Sequence, residues 1–115
     1  MTGQEAESKA QQYLEAKGYI ILQRNFSIPQ GEIDLVAEDE EEIVFIEVKY
    51  LKNPRYYFPE EQITAKKKRN LQLAAQAFLQ KRKLNQTCRF DVIAIQGTEA
   101  KLKFDHYEDA IEFNT

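Results

Sequence analysis

Apolar residues recur along the chain with two different periods, and the changes of period divide it into elements. From Gln4 to Lys17, the residues Ala6, Ala10, Tyr13 and Leu14 fall on one stripe at helical spacing, and Gly18 supplies a stop. Three strand candidates follow, Tyr19 to Phe26, Ile33 to Ala37 and Ile43 to Tyr50. The last two flank Glu38-Asp39-Glu40-Glu41-Glu42, an acidic run that suits a solvated hairpin turn better than a metal site. A loop with Pro54, Tyr56, Tyr57, Phe58 and Pro59 is too broken by proline to read as a strand. Helical spacing returns between Thr64 and Lys83, with Leu71, Ala74, Ala75, Phe78 and Leu79 on one face. At ~1.5 Å per residue that helix spans roughly 30 Å. Arg89 to Gln96 and Leu102 to Tyr107 read as two more strands with Gly97 at the turn, and Glu108 to Phe113 as a short terminal helix.

The order αβββαββ predicts an α/β fold, a mixed five-stranded sheet flanked by helices, in one domain over residues 1–115. The third strand supports a sheet covered on both sides. Its Val44, Ile46 and Val48 point one way and Ile43 and Phe45 the other, so both faces are apolar.

Composition narrows the chemistry. A single cysteine, Cys88, rules out an intramolecular disulfide and suits a reducing compartment. With His106 as the only histidine, a Cys/His zinc site is excluded, and both residues read as packing residues. No apolar run approaches ~20 residues, and Met1 to Ala10 is too polar for a signal peptide. The expectation is a soluble, cytoplasmic protein with no membrane partner. The net charge of −3 argues at first against nucleic acid. Its distribution reverses the argument: residues 1–47 carry −8, residues 48–89 carry +9 and residues 90–115 carry −4. Such a basic centre fits either a polyanion-binding face or a solvated surface.

The chemistry-bearing residues lie at the end of the third strand. Glu47 and Lys49 are two apart and continue the inward row of Ile43 and Phe45. Charges on such a row require a partner, a metal or a cleft, so a salt bridge and a functional site are both open readings. The preceding strand carries Gly31-Glu32-Ile33-Asp34-Leu35-Val36, and a tight antiparallel hairpin brings Asp34 opposite residue 46, 47 or 48. Asp34 and Glu47 then converge, and a hard divalent cation resolves their repulsion. Lys49 beside it is placed to orient a water or stabilise developing charge on a phosphorane.

A carboxylate on one strand and Glu-x-Lys on its hairpin neighbour resemble the PD-(D/E)xK nuclease superfamily. The ordered set over the whole chain resembles, more specifically, the YraN family of predicted endonucleases, which is similar to archaeal Holliday-junction resolvases. That set runs through Glu7, Ala10, Tyr13, Leu14, Gly18-Tyr19, Asn25, the Gly31–Val36 and Val44–Lys49 runs, Lys67 and Arg89-Phe90-Asp91-Val92. The resemblance implies a restriction-endonuclease-like core and a Mg²⁺- or Mn²⁺-dependent endonuclease acting on DNA, on branched or single-stranded forms. It implies Asp34 and Glu47 as metal ligands, Glu7 as the acid that completes the cluster and Lys49 as the catalytic lysine. Related resolvases are dimers, so a homodimer is a further expectation.

Around this set, Glu32 shares strand parity with Asp34 and reads either as an outer acid supporting the ligands or as a solvent-facing glutamate. Lys67 falls on the apolar stripe and is expected to approach a substrate phosphate, with Lys66 and Arg69 as a basic rim and Lys52 and Arg55 in the aromatic loop. Asp91 reads as a structural hydrogen-bond or salt-bridge residue. The chain departs from the family pattern at Leu51, where an arginine is common, and at Tyr57 and Phe58, which replace a glycine before Pro59. Two rival readings remain beside the nuclease: a nucleic-acid-binding module of the same fold that does not cut, and an interaction domain in which Glu47 and Lys49 are only an ion pair.

Overall fold

A computed structural model describes residues 1–51 and 63–112. Helix α1 spans Gly3–Ala16, strands β1 to β3 span Ile20–Ile28, Gly31–Asp39 and Glu42–Leu51, helix α2 spans Ala65–Arg82, and strands β4 and β5 span Cys88–Thr98 and Lys101–Tyr107. This is the expected order. The five strands form one sheet in the order β1-β2-β3-β4-β5, antiparallel throughout except for the parallel β3–β4 pair that α2 connects. Among the described residues no helix is long and apolar enough to cross a membrane.

Each helix begins and ends where side-chain chemistry dictates. Thr2 caps α1 by accepting the Glu5 N–H, and Thr64 caps α2 by accepting the Lys67 N–H. Behind α1, Gly18 takes φ +94° while the Tyr19 N–H returns to the Leu14 carbonyl, which closes the last turn. The two helices lie on opposite faces of the sheet. α2 buries Leu71, Ala74 and Phe78 against Phe26, Val36, Phe45 and Phe90, with the Phe78 ring edge-on to Phe26 and Phe45. α1 approaches the other face closely because its stripe is small, Ala6 and Ala10 with Leu14, against Leu35, Val44, Ile46 and Ile93.

Three expectations require correction. The hairpin between β2 and β3 turns on Glu40 and Glu41 alone, both at positive φ (48° and 75°), while Glu38, Asp39 and Glu42 belong to the strands. None of these three is left to solvent: Asp39 and Glu42 pair with Arg89, and Glu38 accepts from Gln86 Nε2 at 2.7 Å. Gly97 does not form the β4–β5 turn. It is paired with Leu102 inside the ladder, and Glu99 and Ala100 make the turn. No helix forms over residues 108–112, because Asp109 sits at φ +53° and donates its N–H to Asp91, while the Ala110 and Ile111 N–H groups return to the Phe90 carbonyl. That backbone is spent on β4 and has no intrahelical bonds to make.

Candidate metal centre

The β2–β3 ladder runs from Asp39 opposite Glu42 to Leu35 opposite Ile46, and there it stops. The next residue, Asp34, presents its side chain instead: Oδ2 accepts the Val48 N–H at 2.8 Å. The face alternation of β2 breaks at this point. Ile33 packs on the α2 side and Leu35 on the α1 side, although strict alternation would put both on one face. Asn25, between the two β1 residues that flank this place in the register, takes φ +51° and accommodates the distortion.

The break admits a third element. Glu7 follows Ala6 on the buried stripe of α1, and its side chain is only 13 % exposed. Its Oε1 is buried and, among the described residues, accepts no hydrogen bond. The Arg24 guanidinium stands 3.8 Å from that oxygen but is held by Ser8 Oγ and the Gln4 carbonyl. Glu7, Glu32 and Asp34 each bring a carboxylate oxygen within 4.8 Å of the others. Burial, followed by the charges of Glu47, Glu7 and Glu32, pushes the Asp34 carboxyl up to about 7, against the Val48 hydrogen bond that favours its anion. An orphaned buried oxygen among repelling carboxylates, in an all-oxygen donor set, fits a hard divalent cation.

Glu47 flanks this group and is turned to cations. Its Oε1 accepts from Lys67 Nζ at 3.0 Å and lies 3.5 Å from Lys49 Nζ, with the Glu47 side chain 8 % exposed. Burial pulls the Lys67 ammonium down, but the charge and hydrogen bond of Glu47 outweigh it and hold the lysine above its ordinary range. The ion pair between Glu47 and Lys49 therefore exists, and Lys67 shares it. Lys67 does point inward from α2, as its place on the apolar stripe predicts, and the group it reaches is a carboxylate. Glu32 is exposed to solvent and also brings a carboxylate oxygen to the acidic group, so both of its readings hold. Strand parity with Asp34 was the signal for this, whereas nothing in the spacing announced that Lys67 would bind Glu47.

Lys66 is exposed and lines a cavity of about 200 Å³ with Gln30, Gly31, Glu32, Lys67 and Asn70, so this part of the basic rim borders the acidic group. Arg69, also exposed, lines a separate groove beside Leu73. Lys52 and Arg55, with the aromatic residues around them, lie outside the described residues.

A family model described as uncharacterised protein family UPF0102 matches residues 6–95. The chain belongs to the UPF0102 family. It is 35% identical over 111 residues to the UPF0102 protein of Dehalococcoides mccartyi, covering 96% of this chain and 92% of that one. It is 46% identical to UPF0102 proteins of Hahella chejuensis and Cytophaga hutchinsonii, over 79% and 81% of this chain and 74% and 82% of theirs. The UPF0102 match contains Glu7, Glu32, Asp34, Glu47, Lys49 and Lys67, so all the residues of the centre fall within it.

A second group of candidate ligands in this UPF0102 chain has a different character. Asp91, His106 and Glu108 also converge, but a guanidinium already stands among them. Asp91 is fully buried and accepts from Arg89 Nε at 3.0 Å, His106 Nε2 at 2.8 Å and the Asp109 N–H at 2.9 Å. Burial pushes its carboxyl up, and these three donors together reverse that and lower it. Arg89 also reaches Asp39, Glu42, Glu108 and the Tyr19 hydroxyl. Asp91 is thus the structural residue expected. His106 is more than packing, since its Nδ1 lies 2.8 Å from Lys17 Nζ while Nε2 holds Asp91.

Proposed function

We propose that this UPF0102 chain is a Mg²⁺- or Mn²⁺-dependent endonuclease that hydrolyses phosphodiester bonds of DNA, in branched or single-stranded forms. The observation that carries the reading is the convergence of Glu7, Glu32 and Asp34, with one buried oxygen unpartnered, next to the Glu47–Lys49 pair. Asp34, Glu47 and Glu7 would hold the cation, with Glu32 beside them, and the Val48 N–H fixes the Asp34 carboxylate. The bound cation supplies a Lewis acid for a phosphoryl oxygen and a water of lowered pKa. Lys49, on the same strand row as Glu47, orients the attacking water and offsets the charge gathering on the phosphoryl oxygens. The water oxygen bonds to phosphorus and releases a proton to solvent as one ester P–O bond breaks, and the leaving oxygen takes up a proton from solvent. Lys66 and Arg69, together with Lys52 and Arg55, supply cations to the flanking backbone.

The test is incubation of the purified chain with branched, single-stranded and duplex DNA and Mg²⁺ or Mn²⁺, beside Glu47→Ala. Cleavage is expected only in the unaltered chain, and cleavage that survives in the variant sinks the assignment. One observation favours a second reading, a nucleic-acid-binding module that does not cut: Glu47 is engaged by two lysines. Its signature is salt-sensitive DNA binding without metal-dependent strand breaks.

A further inference from the structure

Glu47 and Lys67 come from different elements, β3 and the first turn of α2, twenty positions apart in the chain. Their contact at 3.0 Å is shorter than the Glu47–Lys49 contact at 3.5 Å, although Lys49 is on the same strand. Lys67 is the nearer of the two lysines that meet Glu47 Oε1, and the one hydrogen-bonded to it. On the neighbouring β2–α1 side the balance is the reverse. Three carboxylates converge and the Glu7 oxygen has no hydrogen-bond partner. The shorter ammonium contact is thus on the Glu47 side, while Glu7 has only the more distant Arg24 guanidinium, 3.8 Å away and held by Ser8 and Gln4. A carboxylate with an ammonium partner is less available to a metal ion, because the ion must displace that ammonium to use it.

We infer that Lys67 is a resident counter-ion of Glu47 that competes with a divalent cation, and that giving up Glu47 frees the Lys67 ammonium for a substrate phosphate. This rests on the metal-centre reading above and deepens it by assigning the centre a built-in check. Before metal binds, Lys67 holds Glu47 in a folded, charge-matched state. Afterwards its ammonium, still on the same helix turn and beside the Lys66 cavity, faces a polyanion instead. Lys67 is a positioning residue in this scheme, acting through Glu47.

Calorimetric titration of the whole chain with Mn²⁺, in the absence of DNA, tests this. The compared forms are the unaltered chain, Asp34→Asn, Lys67→Gln, Lys67→Arg and Lys68→Gln. Competition predicts that Lys67→Gln binds Mn²⁺ about fivefold or more tightly than the unaltered chain, while Lys67→Arg, which retains the pairing cation, stays near it. Lys68→Gln removes the same charge from the neighbouring residue, which lines a different cavity, and is expected to change affinity far less. Affinity that is equal or weaker in Lys67→Gln, or equally tightened in Lys68→Gln, overturns the counter-ion role and leaves the metal centre standing, provided Asp34→Asn binds poorly. If the unaltered chain and Lys67→Gln both fail to bind Mn²⁺, or Asp34→Asn binds as well as either, the metal-centre reading falls and the counter-ion role with it. The Lys67 side chain is 38% exposed on a helix turn, so its substitution leaves the core intact.

Discussion

The Asp34 carboxylate accepts the Val48 N–H at 2.8 Å and so stands in the β2–β3 ladder where a main-chain carbonyl would otherwise be. One side chain both ends the strand pairing and carries a negative charge into a cleft with Glu7 and Glu32. The strand pair is opened by a residue of the acidic group that could hold a metal ion, which ties the local backbone to that group.

That arrangement has a cost in the metal-free protein. Burial and the neighbouring carboxylates push the Asp34 carboxyl up to about 7 from an ordinary 3.8. An acid raised in this way contributes stability below its unfolded value and loses it as pH rises to its folded value, here from about 4 to about 7. Asn at this position retains an oxygen for the Val48 N–H and has no charge to bury. Metal-free Asp34→Asn is expected to exceed the unaltered chain by about 1–3 kcal/mol at pH 8 and to match it near pH 4. Denaturant unfolding at the two pH values checks this, and equal stability at pH 8 would contradict the charge cluster.

Arg89 is surrounded by Asp39, Glu42, Asp91 and Glu108. Arg89→Met leaves the fully buried Asp91 with only His106 and the Asp109 N–H and is expected to cost about 2–4 kcal/mol while leaving Mn²⁺ binding unchanged. The carboxyl of Asp91 is lowered, so its contribution is present above pH 3.8 and is lost as pH falls below that value. Unfolding curves and a Mn²⁺ titration of the variant test both halves.

A Cβ at Gly97 would lie 2.3 Å from the Lys101 carbonyl oxygen, and the residue holds φ +106°. Both conditions exclude a side chain without backbone movement in the β4–β5 ladder. Gly97→Ala is expected to destabilise by at least about 2 kcal/mol, read from thermal or denaturant unfolding.

If the basic rim meets the phosphate backbone, affinity for DNA falls with salt. Measured with Ca²⁺ in place of Mg²⁺, the slope of log K against log salt is expected to shrink by about 0.9 in each of Lys66→Ala and Arg69→Ala. An unchanged slope removes that residue from the interface.

The sequence exposed whatever depended on regular periods. Alternation in β3 put Glu47 and Lys49 on the Ile43–Phe45 row, and the row is where they are. Counting outward from the turn brought Asp34 to the vicinity of Glu47, whose charge acts on it. Irregular backbone stayed hidden. The break at Asp34, which lets Glu7 join Glu32, comes from a side chain replacing a carbonyl, and no period announces that. The residues after β5 carry a helix-like pattern, yet their N–H groups are captured by Asp91 and Phe90. The Glu47–Lys67 bond joins two elements through a crossover, and only the packed fold brings them together.

The central claim is that the carboxylates at the β2–β3 break hold a divalent cation, and Mn²⁺ soaked into crystals tests it most directly through its anomalous scattering. The account predicts a peak within about 2.5 Å of oxygens of Asp34 and Glu7, with Glu32 or Glu47 beside it. A map with no peak at Asp34, or with its peak at Asp91, His106 and Glu108, would contradict it.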